Sequence, residues 1–143
     1  MNVTASWQFW AVMSAVFAAL TAIFAKVGVE AINSDLATFI RTVVVIVTLG
    51  FLLAVTGQFQ APGSISGRSY LFLVLSGLGT GASWLCYFRA LKIGEAAKVA
   101  PIDKLSVVLV AIFGVVFLGE KLTAPNWLGV ALVATGAVLI AYR

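Results

Sequence analysis

Arg41, Asp103 and Lys104 sit inside stretches whose other residues suit hydrocarbon. A charged side chain at the centre of a membrane helix costs about 2.5–3.5 kcal/mol on insertion scales. Such groups in membrane segments most often line a path for a solute or an ion. Two cations and one anion leave net positive charge, which suits an anionic or zwitterionic solute. Pro101 stands beside the Asp103–Lys104 pair. Inside a helix it frees the carbonyl of Ala97 and bends the backbone. Broken helices at membrane depth are tolerated where freed groups line a cavity or are buried in protein. The alternative is a plain packing kink. Trp84, Tyr87 and Phe88 fall at i, i+3 and i+4, one face of a helix. They either stack against a substrate or serve as interface anchors and packing.

None of the three charges has an opposite charge at i±3 or i±4. Asp103 and Lys104 are adjacent, so on a helix they point roughly 100° apart and share no face. Each is therefore expected to snorkel, to meet a partner on another helix, or to face water. Lys26 and Glu30, at i and i+4, are expected to pair at a helix end. Arg89 and Lys92 fall at a helix end and read as structural.

These groups must be carried by membrane helices. The chain has 143 residues, of which 62% are hydrophobic and 10% charged. A soluble domain this short could not cover so much apolar surface, so lipid must. Five spans are predicted: Trp7 to Ala25, Leu36 to Thr56, Tyr70 to Leu91, Ala97 to Leu118, and Pro125 to Tyr142. Each approaches the ~20 residues that cross the hydrocarbon. Together they make one all-α integral membrane domain over residues 1–143. The first span is not expected to be a signal peptide, because no basic region precedes it and the apolar run is too long. Ser34 or Asp35 is expected to cap the second helix. Pro62-Gly63 marks a surface turn, and Gly119 to Thr123 ends one helix and caps the next, with Pro125 in its first turn. The links are short, so successive helices are antiparallel neighbours.

Lysine and arginine set the orientation. Arg68 and Lys121 lie on the side of the N-terminus, whereas Lys26, Arg89, Lys92, Lys98 and Arg143 lie on the other. That bias places the N-terminus outside and the C-terminus in the cytoplasm. The second and fourth helices begin on the cytoplasmic side, so Arg41 and Asp103 sit roughly 8–10 Å inside their helix ends, in the same half of the bilayer. A shared water-accessible vestibule is one reading; snorkelling Arg41 and Lys104, with Asp103 satisfying one of them, is the other.

The glycines are of two kinds. Gly77 and Gly81 form a GxxxG pair, which reads as close helix packing. Gly77-Leu-Gly-Thr-Gly81 is no phosphate loop, since no strand precedes it and no lysine follows. Gly129 and Gly136 lie seven residues apart on one face of the last helix, suited to an intrachain contact or a dimer seam.

The order of motifs resembles the drug/metabolite transporter superfamily, specifically an EamA-type unit. The carriers are Phe39-Ile40-Arg41, Arg89-Ala90-Leu91, Ala97 to Pro101, Leu118-Gly-Glu-Lys-Leu-Thr123 and the Gly129/Gly136 helix. The last helix also resembles the dimer-forming helix of small multidrug resistance transporters. The resemblance implies transport, or flipping of a lipid-linked solute, by half of an inverted-repeat fold: typical members have ten helices in two inverted repeats, and this chain matches one. It further implies a homodimer or a heterodimer with a paralogue. The first helix carries no carboxylate, only Ser14 and Thr21 as polar groups, which departs from the small multidrug pattern and argues against proton-coupled export of cationic drugs.

Several classes are excluded. The nine basic residues make no basic face, so nucleic acid is not a partner. With no histidine and one cysteine, Cys86, no metal site, intramolecular disulfide or nucleophile–base constellation is expected. An enzyme and a cofactor are therefore not expected. The expected role is a transporter or half-transporter for a small metabolite in the cytoplasmic membrane. The alternative is a non-transporting accessory or assembly subunit.

Overall fold

The computed structural model describes residues 6–142. The helices are α1 Trp7–Val29, α2 Ser34–Thr56, α3 Gly67–Ile93, α4 Ala96–Asp103, α5 Ser106–Leu118 and α6 Ala124–Ala141. A 3-10 turn, Pro62–Ser64, follows α2, and the described residues contain no strand. Five stretches are long and apolar enough to cross a membrane: α1, α2, α3, the joint run Ala96–Leu118, and α6. Large apolar side chains such as Phe24, Phe51 and Phe117 are mostly exposed, a surface stable only in lipid. The chain is an all-α, multi-pass membrane protein.

The helix ends follow local chemistry. Asn33, not Ser34 or Asp35, caps α2: its side-chain oxygen accepts from the N–H of Asp35 at 2.8 Å and of Leu36 at 3.2 Å. The helix thus starts at Ser34, which leaves the Asp35 carboxylate in the first turn, favourable against the helix dipole and available for another partner. Gly57 and Gly119 end α2 and α5 in the left-handed region, at φ 65° and 69°, where a side chain is strained. Thr123 caps α6, and its N–H donates to Asn126 Oδ1 at 3.1 Å, with Pro125 in the first turn.

The fourth span is not one continuous helix. It stops at Asp103 and resumes at Ser106. Pro101 has no N–H for the Ala97 carbonyl, and the turn after it tightens. The N–H of Leu105 donates to Ile102 O, that of Val107 to Lys104 O, and that of Val108 to Leu105 O, each at 3.0 Å.

The chain divides into two compact units. Phe24–Lys92 is one; residues up to Ile23 together with those from Ile93 onward form the other. In the first, Ala25, Val29, Ala37, Phe88 and Leu91 are buried, Val29 and Leu91 completely. Thr38 is buried among them and satisfies its hydroxyl by donating to the Ser34 carbonyl at 2.9 Å. In the second, α6 packs on both α4 and α5, with Ala137 buried. The α5–α6 link folds back over α5: Glu120 N–H donates to Gly114 O at 3.1 Å, and its carboxylate lies where a Cβ on Gly114 would come within 2.6 Å.

Candidate functional site

The Phe24–Lys92 unit contains a polar end where α1 and α3 finish and α2 begins. Lys26, in the last turn of α1, donates to the Leu91 carbonyl near the end of α3 at 2.8 Å. Helix α1 stops at Val29, one residue short of Glu30. Arg89 grips Asp35 with two hydrogen bonds, Nε to Oδ1 at 3.0 Å and Nη2 to Oδ2 at 2.8 Å. Lys92 donates to the Ile32 carbonyl in the α1–α2 link. A lysine near the end of a helix is drawn to unpaired carbonyls there, and here each one reaches a neighbouring element.

Arg41 is different. It is half-buried on α2, seven residues beyond Ser34 and so about 10 Å inside the helix end. Its guanidinium carbon lies over the Trp84 ring, 4.1 Å from the centroid, and 5.6 Å from that of Phe88. Tyr87, on the same helix, is near enough to interact electrostatically. No carboxylate among the described residues pairs with Arg41. The aromatic faces hold the cation by cation–π attraction, about 0.5–2 kcal/mol by degree of desolvation, and consume none of its fork of N–H donors. Of the aromatic face Trp84, Tyr87 and Phe88, which reads from sequence either as a stacking surface or as packing, Trp84 and Phe88 stand over Arg41.

Arg41 also lines an open pocket of about 260 Å³. Phe24, Ile32, Ile40 and Phe88 form its bulky walls, and Ala25, Gly28 and Ala37 leave the space. Arg41 is the one charged residue in the lining. Phe24, Ile32, Ile40 and the small residues were not singled out from sequence, because a pocket wall and a lipid-facing apolar residue look alike there.

Pro101, Asp103 and Lys104 belong to the other unit. Lys104 Nζ lies 3.1 Å from Asp103 Oδ2. Lys104 keeps a right-handed helical backbone and its N–H donates to Ala100 O at 3.2 Å, so the two residues leave the helix in different directions, and the flexible lysine stem turns back onto its neighbour. The pair is partly exposed, at 33% for the Asp103 side chain and 56% for Lys104.

A Cβ built on Gly77, Gly81, Gly129 or Gly136 meets nothing within 4 Å.

The sequence from residue 5 to 142 matches the EamA-like transporter family. The chain belongs to that family. It is 68% identical over 136 residues to a Sinorhizobium sp. protein named "Uncharacterized transporter in cobO 3'region", a match spanning 95% of this chain and 96% of that protein. No solved structure matches the chain significantly. An EamA-like protein with membrane-length helices has a transporter-type role, and its intramembrane polar groups are the first candidates for solute contact. In this EamA-like chain those groups fall into two sets, Arg41 with its aromatic cradle and Asp103–Lys104 at a helix break.

Proposed function

We propose that the chain moves a small metabolite across the cytoplasmic membrane, acting as one subunit of a dimer, with Arg41 in its solute site. The observation that carries the reading is Arg41: a guanidinium at membrane depth, held by Trp84 and Phe88, facing no carboxylate and lining an open pocket. A purely structural cation would be neutralised, as Arg89 is by Asp35. The break after Pro101 supports a moving role for the fourth span, since interrupted helices at membrane depth accompany solute and ion sites. The open faces at Gly129 and Gly136 support a second copy, or a paralogue, seated on α6. The lysine and arginine bias supports an N-terminus outside and a C-terminus in the cytoplasm.

A thermal-shift screen of the purified protein against anionic, zwitterionic and cationic metabolites tests the reading. A ligand at a hundred times its Kd stabilises by about 2.7 kcal/mol. Stabilising compounds should be carried into liposomes by the wild type and not by Arg41→Ala, with the variant inserted and as helical as its parent. Compounds that stabilise both proteins equally, or uptake that survives Arg41→Ala, would remove Arg41 from the solute path.

A further inference from the structure

We propose that the Arg41 pocket takes an amphipathic monoanion: a single carboxylate or phosphate-type head on the guanidinium, with a compact apolar body against Phe24, Ile40 and Phe88. This rests on the pocket being the solute site.

The charge of the ligand follows from which cations are still available. Around the pocket, Lys26 is engaged by the Leu91 carbonyl, Arg89 by Asp35 and Lys92 by the Ile32 carbonyl. Arg68 stands at the opposite end of α3, about 30 Å from Arg89 along the helix. Among the described lining residues Arg41 is the one that offers a positive charge, enough for one negative charge and not for two. A zwitterion is disfavoured as well, because no lining residue is acidic and an ammonium group would have no counter-charge. A cation would meet Arg41 itself.

The body of the ligand follows from the walls. Every lining residue other than Arg41 is apolar, and burying a polar body there leaves its hydrogen bonds unmade. The volume, about 260 Å³, lies just under the range of drug-sized ligand sites, about 300–1,000 Å³. It admits a small branched or aromatic acid, or the upper part of a lipid. The Trp84 face fixes where the guanidinium stands while its N–H fork remains free to take two oxygens at once.

Trp84 is also the reporter. In a Trp7→Phe, Trp10→Phe, Trp127→Phe background it is the sole tryptophan, and its fluorescence is read in nanodiscs of purely zwitterionic lipid. The probes are phenylacetate, its amide, phenethylamine, and straight-chain carboxylates of increasing length. Phenylacetate should give a saturable change, and the amide and amine none over the same concentrations. Affinity for the chain series should rise about fourfold per methylene until the pocket is full. Arg41→Gln should weaken phenylacetate at least tenfold, and Arg41→Lys should keep part of the affinity. A second set of discs containing anionic lipid separates the two sources of such a head group. If lipid is the natural occupant, the Trp84 change appears without added acid and phenylacetate no longer titrates. Equal binding of amine and acid, affinity independent of chain length, or full affinity in Arg41→Gln overturns the proposal. Carboxylate binding without any uptake in liposomes leaves this inference standing and sinks the transport reading. Uptake of a cationic compound, with no Arg41-dependent acid binding, does the reverse.

Discussion

The two units of the chain handle charge in opposite ways. In Phe24–Lys92 three charged side chains tie elements far apart in sequence: Lys26 to the Leu91 carbonyl across 65 residues, Lys92 to the Ile32 carbonyl across 60, and Arg89 to Asp35 across 54. In the unit of α4, α5 and α6 the ion pairs are local, Asp103 with Lys104 and Glu95 with Lys98. There the helices are held by α6 lying close along α4 and α5, which apolar and small residues permit. Long-range pairs fix one helix against another, so breaking them loosens the body. Local pairs fix nothing beyond their own turn, so they can open and change partners while the packing stays. The first arrangement holds the ends of α1, α2 and α3 to one another beside the pocket. The second suits a span that rearranges around a charged break.

The largest expected effect comes from the buried centre of the first unit. Leu91 is fully buried, and Leu91→Ala should lower unfolding stability by about 2–5 kcal/mol. Leu139 on α6 is 67% exposed, and Leu139→Ala should stay within about 0.5 kcal/mol. Denaturation in the same detergent micelle compares the two. Equal losses would mean that the first unit is no better packed than the lipid-facing helices, and the contrast between the units would fail.

A smaller effect is expected from the charges. Reversing Arg89 to aspartate, or Asp35 to arginine, should each lower the thermal midpoint, and the double exchange should recover most of the loss. The same test on Asp103 and Lys104 should move the midpoint much less in either single variant, because that pair ties no second element. A coupling at Asp103–Lys104 as large as that at Asp35–Arg89 would show that the break is a structural clamp after all.

What the sequence revealed follows the same division. Membrane helices are legible because a run such as Ser106–Leu118 has no polar side chain after Ser106, and turn chemistry at Gly119 and Thr123 marks the ends. The common depth of Arg41 and Trp84 was half legible: α2 starts where α3 finishes, and the two residues lie about 10 and 14 Å from those ends at 1.5 Å per residue. Which aromatic would face the arginine was not, since rotation of each helix is set by packing and leaves no periodic trace in helices apolar all round. The Arg89–Asp35 pair was invisible for a related reason: proximity across 54 residues has no local signature. The Asp103–Lys104 contact is hidden for another reason: adjacent side chains leave a helix in different directions, and only the length of the lysine stem brings its ammonium back to the carboxylate.

The smallest effect on the protomer, and the sharpest test of α6, comes from glycine. A Cβ at Gly129 or Gly136 meets nothing within 4 Å, so Gly129→Leu and Gly136→Leu should leave protomer stability within about 0.5 kcal/mol. Any change should be slightly favourable, since leucine has the higher helix propensity. Assembly is another matter. Helix association in lipid is driven largely by close backbone approach, which small residues allow and a leucine prevents. If α6 is the seam, both substitutions should abolish dimers in liposomes, while Gly77→Leu and Gly81→Leu, equally open in the protomer, should not. Single cysteines along α6 in a Cys86→Ala background then report direction. Parallel helices crosslink at matching positions along the whole length; antiparallel helices do so only near the middle. Dimers that persist through both leucines would move the seam to another face, and a monomer that still transports would remove the need for one. An assembly lost only with the α3 substitutions would place the contact on α3 instead.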